Sequence, residues 1–170
     1  MKRSIAVAAL ALVLAGCAAL PPVPVVQPEP TPPARDLIAE LYAMVEADDA
    51  IVVEPLPDPE IEDLRAAASR SMALRELKQA AAALAQALQI RPGRPDLLQL
   101  RAEVALGLNL LDDAEQFAIA SFENGPRMGP LCRRNWAAIQ LAREVRGNVE
   151  EAETARAQAQ RCTPEPVLRM

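Results

Sequence analysis

Residues 133–166 read RRNWAAIQLAREVRGNVEEAETARAQAQRCTPEP, and they decide the fold because their length returns twice upstream. Residues 61–94 and 95–128 align with them on their prolines. All three segments are 34 residues long, with alanine at the twentieth position (Ala80, Ala114, Ala152), a small residue at the twenty-seventh (Ala87, Ser121, Ala159) and proline at the thirty-second (Pro92, Pro126, Pro164). A fixed period of this kind marks a helical solenoid, in which no unit buries its apolar face alone and stacking supplies the core. The fold expected is all-α: about three helix-turn-helix repeats behind an N-terminal helix.

Each segment carries its own boundary chemistry. In the first, Leu64, Ala67, Ala68 and Ser71 predict one helix, and Leu77, Ala80, Leu84, Ala87, Leu88 and Ile90 a second. Asp58 stands where a cap is needed and Pro59 suits the first turn. The join near residues 73–75 has no glycine or asparagine, so this segment reads either as two helices or as one long one. In the second segment Gly107 and Asn109 are helix-ending residues, and Asp112 with Glu115 has capping-box spacing. Gly129, Pro130, Leu131 and Cys132 are extra residues before the third segment, predicting a wider loop and a changed stacking angle. Upstream, residues 35–48 predict a helix with Leu37, Ile38, Leu41, Met44 and Val45 on one face and Tyr42 beside it, placed to cover the open edge of the first repeat. Residues 49–57 break the pattern, yet Ile51, Val52 and Val53 predict that they pack down.

The third segment resembles the tetratricopeptide (TPR) family. Trp136, Ile139 and Ala152 stand where that family has its tryptophan, leucine and central alanine, residues 147–152 look like its inter-helix turn, and Pro164 like its closing proline. Arg143 and Arg156 replace aromatics and Gln140 a small residue, which suits a last repeat whose outer face meets water. The resemblance implies a TPR-like solenoid whose first helices line a concave groove. Under this register the partner-binding groove comprises Arg65, Ser69 and Met72, then Gln99, Glu103 and Leu106, then Ala137, Leu141 and Glu144. Such a mixture can take a peptide segment or helix of another protein. It does not resemble the basic-and-asparagine clamp with which some members hold carboxyl tails. Cys132 opens the third helix pair and Cys162 closes it, and antiparallel packing brings those ends together. The two thiols are natural disulfide partners, worth about 2–4 kcal/mol in an oxidising compartment; the other reading is two unrelated buried cysteines.

The first residues point to that compartment. Lys2 and Arg3 precede an apolar run over 5–15, too short for a span of about 20 residues. Leu14-Ala15-Gly16-Cys17 resembles the bacterial lipobox, which implies cleavage before Cys17 and covalent lipid on that cysteine. Ala18 stands where an aspartate commonly retains such proteins at the inner membrane, so the resemblance implies an outer-membrane lipoprotein facing the periplasm. Loss of residues 1–16 takes Lys plus Arg from 18 to 16 against 23 Asp plus Glu, a formal balance of −7. Nucleic acid is thereby excluded as a partner, and the membrane is reached through the lipid. Residues 18–33 hold seven prolines and read as an extended tether reaching roughly 50 Å at about 3.1 Å per residue. A docking motif over residues 24–30 is the alternative.

The expected organisation is therefore a signal peptide over 1–16, lipidated cysteine and tether over 17–34, helix and connector over 35–57, a TPR-like domain over 58–166 and a tail over 167–170. The chain has no histidine and no glycine-rich phosphate loop, and two cysteines without histidine do not supply a structural zinc set, so neither a catalytic triad nor a metal site is expected. Acidic pairs such as Asp112/Asp113 and Glu150/Glu151 fall near helix starts, where capping and solvation account for them. The reading is a non-enzymatic adaptor without a cofactor, binding another envelope protein within an envelope assembly or a secretion- or pilus-type complex. The alternative is a structural spacer that self-associates.

Overall fold

The computed structural model describes residues 35–45 and 58–163. The chain divides into two units, Met1–Ala34 and Arg35–Met170. The lipobox, the tether, the connector and residues 164–170 lie outside the described residues. Among those described the chain is all-α: α1 (Leu37–Val45), α2 (Pro59–Ala73), α3 (Leu77–Ile90), α4 (Pro95–Gly107), α5 (Leu111–Asn124), α6 (Pro130–Val145) and α7 (Val149–Arg161). The pairs α2/α3, α4/α5 and α6/α7 are the three repeats. Ala80, Ala114 and Ala152 are all buried, since only a small side chain lets the paired helices close.

The three pairs turn through one hydrogen-bonded corner. After α2 the amides of Leu74, Arg75 and Glu76 donate to the carbonyls of Arg70, Met72 and Ser71; after α4 those of Leu108, Asn109 and Leu110 donate to Val104, Leu106 and Ala105. After α6 the amides of Arg146, Gly147 and Asn148 donate to Ala142, Glu144 and Arg143. The middle residue is left-handed each time, with φ of 61° at Arg75, 58° at Asn109 and 81° at Gly147. This is the Schellman ending, which glycine adopts freely, asparagine tolerates and arginine takes only with strain. The first repeat is therefore two helices. Its unfavourable corner is held by the Arg75 guanidinium, which donates to Asp36 Oδ1 at 3.0 Å.

Asp58 caps α2 as its position implies, accepting from the Glu60 amide at 3.3 Å, with Pro59 in the first turn. Asp112 and Glu115 do not cap α5, which starts without a side-chain cap. They turn to the next repeat instead: Arg143 Nε donates to Glu115 Oε1 at 2.7 Å, and Arg146 pairs with both carboxylates. Arg94 joins the first two repeats in a similar way, donating to Glu62 Oε1 at 2.8 Å and Asp96 Oδ1 at 2.9 Å. The Arg94 hydrogen bond holds the Glu62 carboxyl below its ordinary range, against a partial offset from burial. Ser121 closes the second repeat by donating to the Pro95 carbonyl at 2.8 Å.

Two expectations do not hold as stated. Most of the insertion before the third repeat goes into helix: Pro130, Leu131 and Cys132 form the first turn of α6, making it 16 residues long against 13 for α4, and the loop over 125–129 is one residue longer than that over 91–94. Helix α1 does not cover the first repeat. It packs on α4 and α6, and among the described residues α2 and α3 border a separate hollow of about 590 Å³ edged by Glu60, Asp63, Leu64, Gln86, Gln89 and Ile90.

A disulfide joins Cys132 to Cys162, with Cα atoms 5.6 Å apart. Beside it the Gly129 amide donates to the Cys162 carbonyl at 2.7 Å, so backbone and covalent links together fasten the end of α7 to the start of α6. Replacing both cysteines by serine is expected to lower unfolding stability by about 3 kcal/mol in urea titrations under oxidising conditions. An unchanged midpoint would show that the hydrogen-bonded corner suffices.

Candidate functional site

The concave side is where the first helices of the three repeats converge, and α1 lies in it. Its stripe Leu37, Leu41 and Val45 recurs every four residues, as an amphipathic helix requires. Leu37 and Leu41 are buried among Ala102, Ala105 and Leu106 of α4 and Ala137, Ala138 and Leu141 of α6. Alanines form most of that floor, so the helix axes approach closely. Gly107, the last residue of α4, carries this furthest: a Cβ there would stand 2.6 Å from Ile38 Cδ1 and 2.7 Å from Leu77 Cδ1. Its service is space rather than the left-handed turn, which Asn109 makes. An isolated nine-residue helix is unstable in water, so the groove is what keeps α1 folded.

One polar cluster pins this helix. Tyr42 donates through its hydroxyl to Glu103 Oε2 at 2.8 Å, and Arg134 pairs with Oε1 of the same carboxylate. Arg134 also reaches the tyrosine hydroxyl at 3.3 Å and sets its guanidinium carbon 5.3 Å from the centre of the ring. Gln99 Nε2 donates to Glu103 Oε1 at 3.2 Å and to the Arg134 carbonyl at 3.3 Å. Glu103 is wholly buried, so its charge depends on these partners. Burial first, and then the charge and hydrogen bond of Glu103, push the Tyr42 hydroxyl up to about 12, with Arg134 acting in the opposite direction.

The nine groove residues expected from the repeat register therefore do not line one open channel. Gln99, Glu103, Leu106, Ala137 and Leu141 are buried beneath or beside α1. Glu144 lies at the far end of α6, accepting from Gln140 Nε2 at 2.7 Å and standing 3.8 Å from the Arg35 guanidinium. Arg65, Ser69 and Met72 remain on α2, where Arg65 donates to Glu62 at 2.8 Å and Ser69 to the Arg65 carbonyl at 3.0 Å. Among the described residues, a cleft of about 370 Å³ lies between α1 and α2. Ile38, Ala39 and Tyr42 form one wall, Ser69, Met72 and Ala73 the other, with Leu100 and Arg75 also contributing. The sequence reading missed the α1 wall. The signal was a repeat-two face on which Gln99 and Glu103 interrupt small and apolar residues; Arg134 of repeat three meets one oxygen of the Glu103 carboxylate and Tyr42 of α1 the other.

Among the described residues, no group of three or more His, Cys, Asp or Glu side chains is placed to hold a metal ion, and no helix is long and apolar enough to cross a membrane.

Two outcomes test this account of α1. With Leu41→Asp, hydrogen exchange at residues 41–45 should rise to the rate of unstructured peptide while α4 and α6 keep their protection; persistent protection of α1 would mean that its apolar stripe does not hold it. The chain has a single tyrosine, so absorbance near 295 nm isolates Tyr42, whose ionisation should centre near pH 12 and fall only in part in Glu103→Gln, because burial, the larger cause, remains. Because the folded value is raised, the associated stability is complete below about pH 10 and is lost as pH rises through about 12.

A tetratricopeptide repeat model matches residues 71–126, from the last turn of α2 to the loop after α5. Among solved structures the chain is similar to the globular C-terminal domain of P. aeruginosa LpoP, at 29% identity, with 61% of this chain and 98% of that one covered and a TM-score of 0.58. No curated protein sequence matches it. Helix pairs, repeat register and these likenesses agree that the chain is a TPR-like helical repeat protein.

Proposed function

We propose that this chain is a non-enzymatic adaptor, lipid-anchored through Cys17 at the periplasmic side of the outer membrane, that binds another envelope protein. The observation that carries the reading is the cleft between α1 and α2, whose walls combine apolar Ile38, Ala39, Met72 and Leu100 with polar Ser69 and Arg75. A slot of this character takes a few apolar side chains from a partner's helix or extended segment and orients them by hydrogen bonds at the rim. The binding site is thus narrower than a groove along all three repeats. Likeness to LpoP supports the reading, since the matched part is a globular C-terminal domain and here the repeats follow the N-terminal residues read as leader and tether. The acidic balance and the absence of histidine from the sequence favour protein contact over nucleic acid or imidazole chemistry. Lipid on Cys17 is the one covalent group the reading includes, and it places the partner in an envelope assembly.

A photo-crosslinking residue at Met72, in the native host, is expected to give a discrete adduct with one envelope protein. The same residue at Gln116, exposed on α5, is expected to give at least tenfold less. Equal labelling from both positions, or none from Met72, would overturn the cleft as the binding site.

A further inference from the structure

The seat of α1 fixes the side of the domain at which the chain arrives from its anchor. Three contacts place the start of α1 at the C-terminal ends of the first helices. Asp36 accepts from Arg75 just after α2 at 3.0 Å, Ile38 lies against Gly107 at the end of α4, and Arg35 stands 3.8 Å from Glu144 near the end of α6. Further along, Tyr42 reaches Glu103 and Arg134, the latter in the first turns of α6. Helix α1 thus runs antiparallel to the first helices, and the backbone enters the domain among the three inter-helix corners.

Those same corners expose aliphatic side chains. Leu74 is 69% exposed, Leu110 49% and Val149 68%. Repeat packing does not require the first two: the residue matching Leu74 in the third repeat is Arg146, and those matching Leu110 are Glu76 and Asn148. The arginines of this edge are already engaged, Arg35 with Glu40, Arg75 with Asp36 and Arg146 with Asp112 and Glu115. Asp113, Glu150 and Glu151 stand in the helix turns that follow, so the edge offers apolar tips without excess positive charge. The opposite edge exposes Ile90 and Met128, but α1 does not begin there.

We infer that the corner edge bearing Leu74, Leu110 and Val149 rests on the lipid bilayer that holds the anchor. The inference depends on the lipid-anchor reading and adds an orientation to it. Three aliphatic tips bind a bilayer weakly by themselves, but a tether of some 18 residues keeps them at high effective concentration, which makes a weak contact productive. Zwitterionic headgroups suit an edge of this charge. The first helices then stand upright on the membrane and the cleft opens sideways, towards a partner in the same plane.

The test uses the lipidated full chain on vesicles of phosphatidylethanolamine and phosphatidylcholine, with a fluorophore on a cysteine introduced at Glu76 or Glu150, or at Asn124 on the opposite edge. An aqueous quencher should reach the labels at positions 76 and 150 at least threefold less well than the label at 124. The triple variant Leu74→Ser, Leu110→Ser, Val149→Ser should remove that difference while still floating with the vesicles and melting as the parent does. Equal quenching at all positions in the parent overturns the inference, as does shielding that survives the triple substitution. A chain that fails to float overturns the anchor reading first, and the orientation falls with it.

Discussion

Close approach of α1 to α4 and α6 is the contact on which the rest of the molecule depends. It is possible only because the floor is alanine and the end of α4 is Gly107, whose missing side chain makes room for Ile38. Larger residues would lift α1 away, exposing Leu37 and Leu41 and separating Tyr42 from the buried Glu103 carboxylate. The apolar surface of repeats two and three would then face water. Packing and electrostatics therefore support one another: the alanine floor brings the tyrosine within reach, and the tyrosine with Arg134 makes a buried acid tolerable.

Much of this architecture is legible in residues 61–166, because a repeat states its pattern several times. Ala80, Ala114 and Ala152 mark the tight crossing of each pair, and Gly147 announces its corner. Arg75 hid the equivalent corner, since left-handed geometry there is imposed by register and by Asp36 rather than by local preference. Asp112 and Glu115 misled for the opposite reason. Their spacing fits a local cap, but the arginines of the next repeat compete for them and make the stronger, charge-assisted bonds.

The groove was harder to read than the fold. Register groups Gln99, Glu103, Leu106, Ala137 and Leu141 as groove residues, and all five are buried; it carries no information about an element outside the repeats that settles beside them. Helix α1 displays an ordinary amphipathic stripe, which suits the first repeat's edge as well as the concave face. What distinguishes the two seats is non-local. The edge presents Glu60 and Asp63 beside Leu64, whereas the concave face offers alanines and the second oxygen of a buried carboxylate, which Tyr42 meets.

The direction of α1 also decides how the domain bears a mechanical load. A pull from the N-terminal side enters at Arg35 and runs along the helix axis, so Leu37, Leu41 and the Tyr42 cluster resist together in shear instead of peeling apart one by one. The strain passes into repeats two and three, the latter closed by the Cys132–Cys162 bond. Repeat one meets that path at its start through the Asp36–Arg75 pair, and otherwise through α4 and the Arg94 pairs. Arg75 also lines the cleft, so α1 and the α2 wall are braced against each other at the point where tension enters the domain.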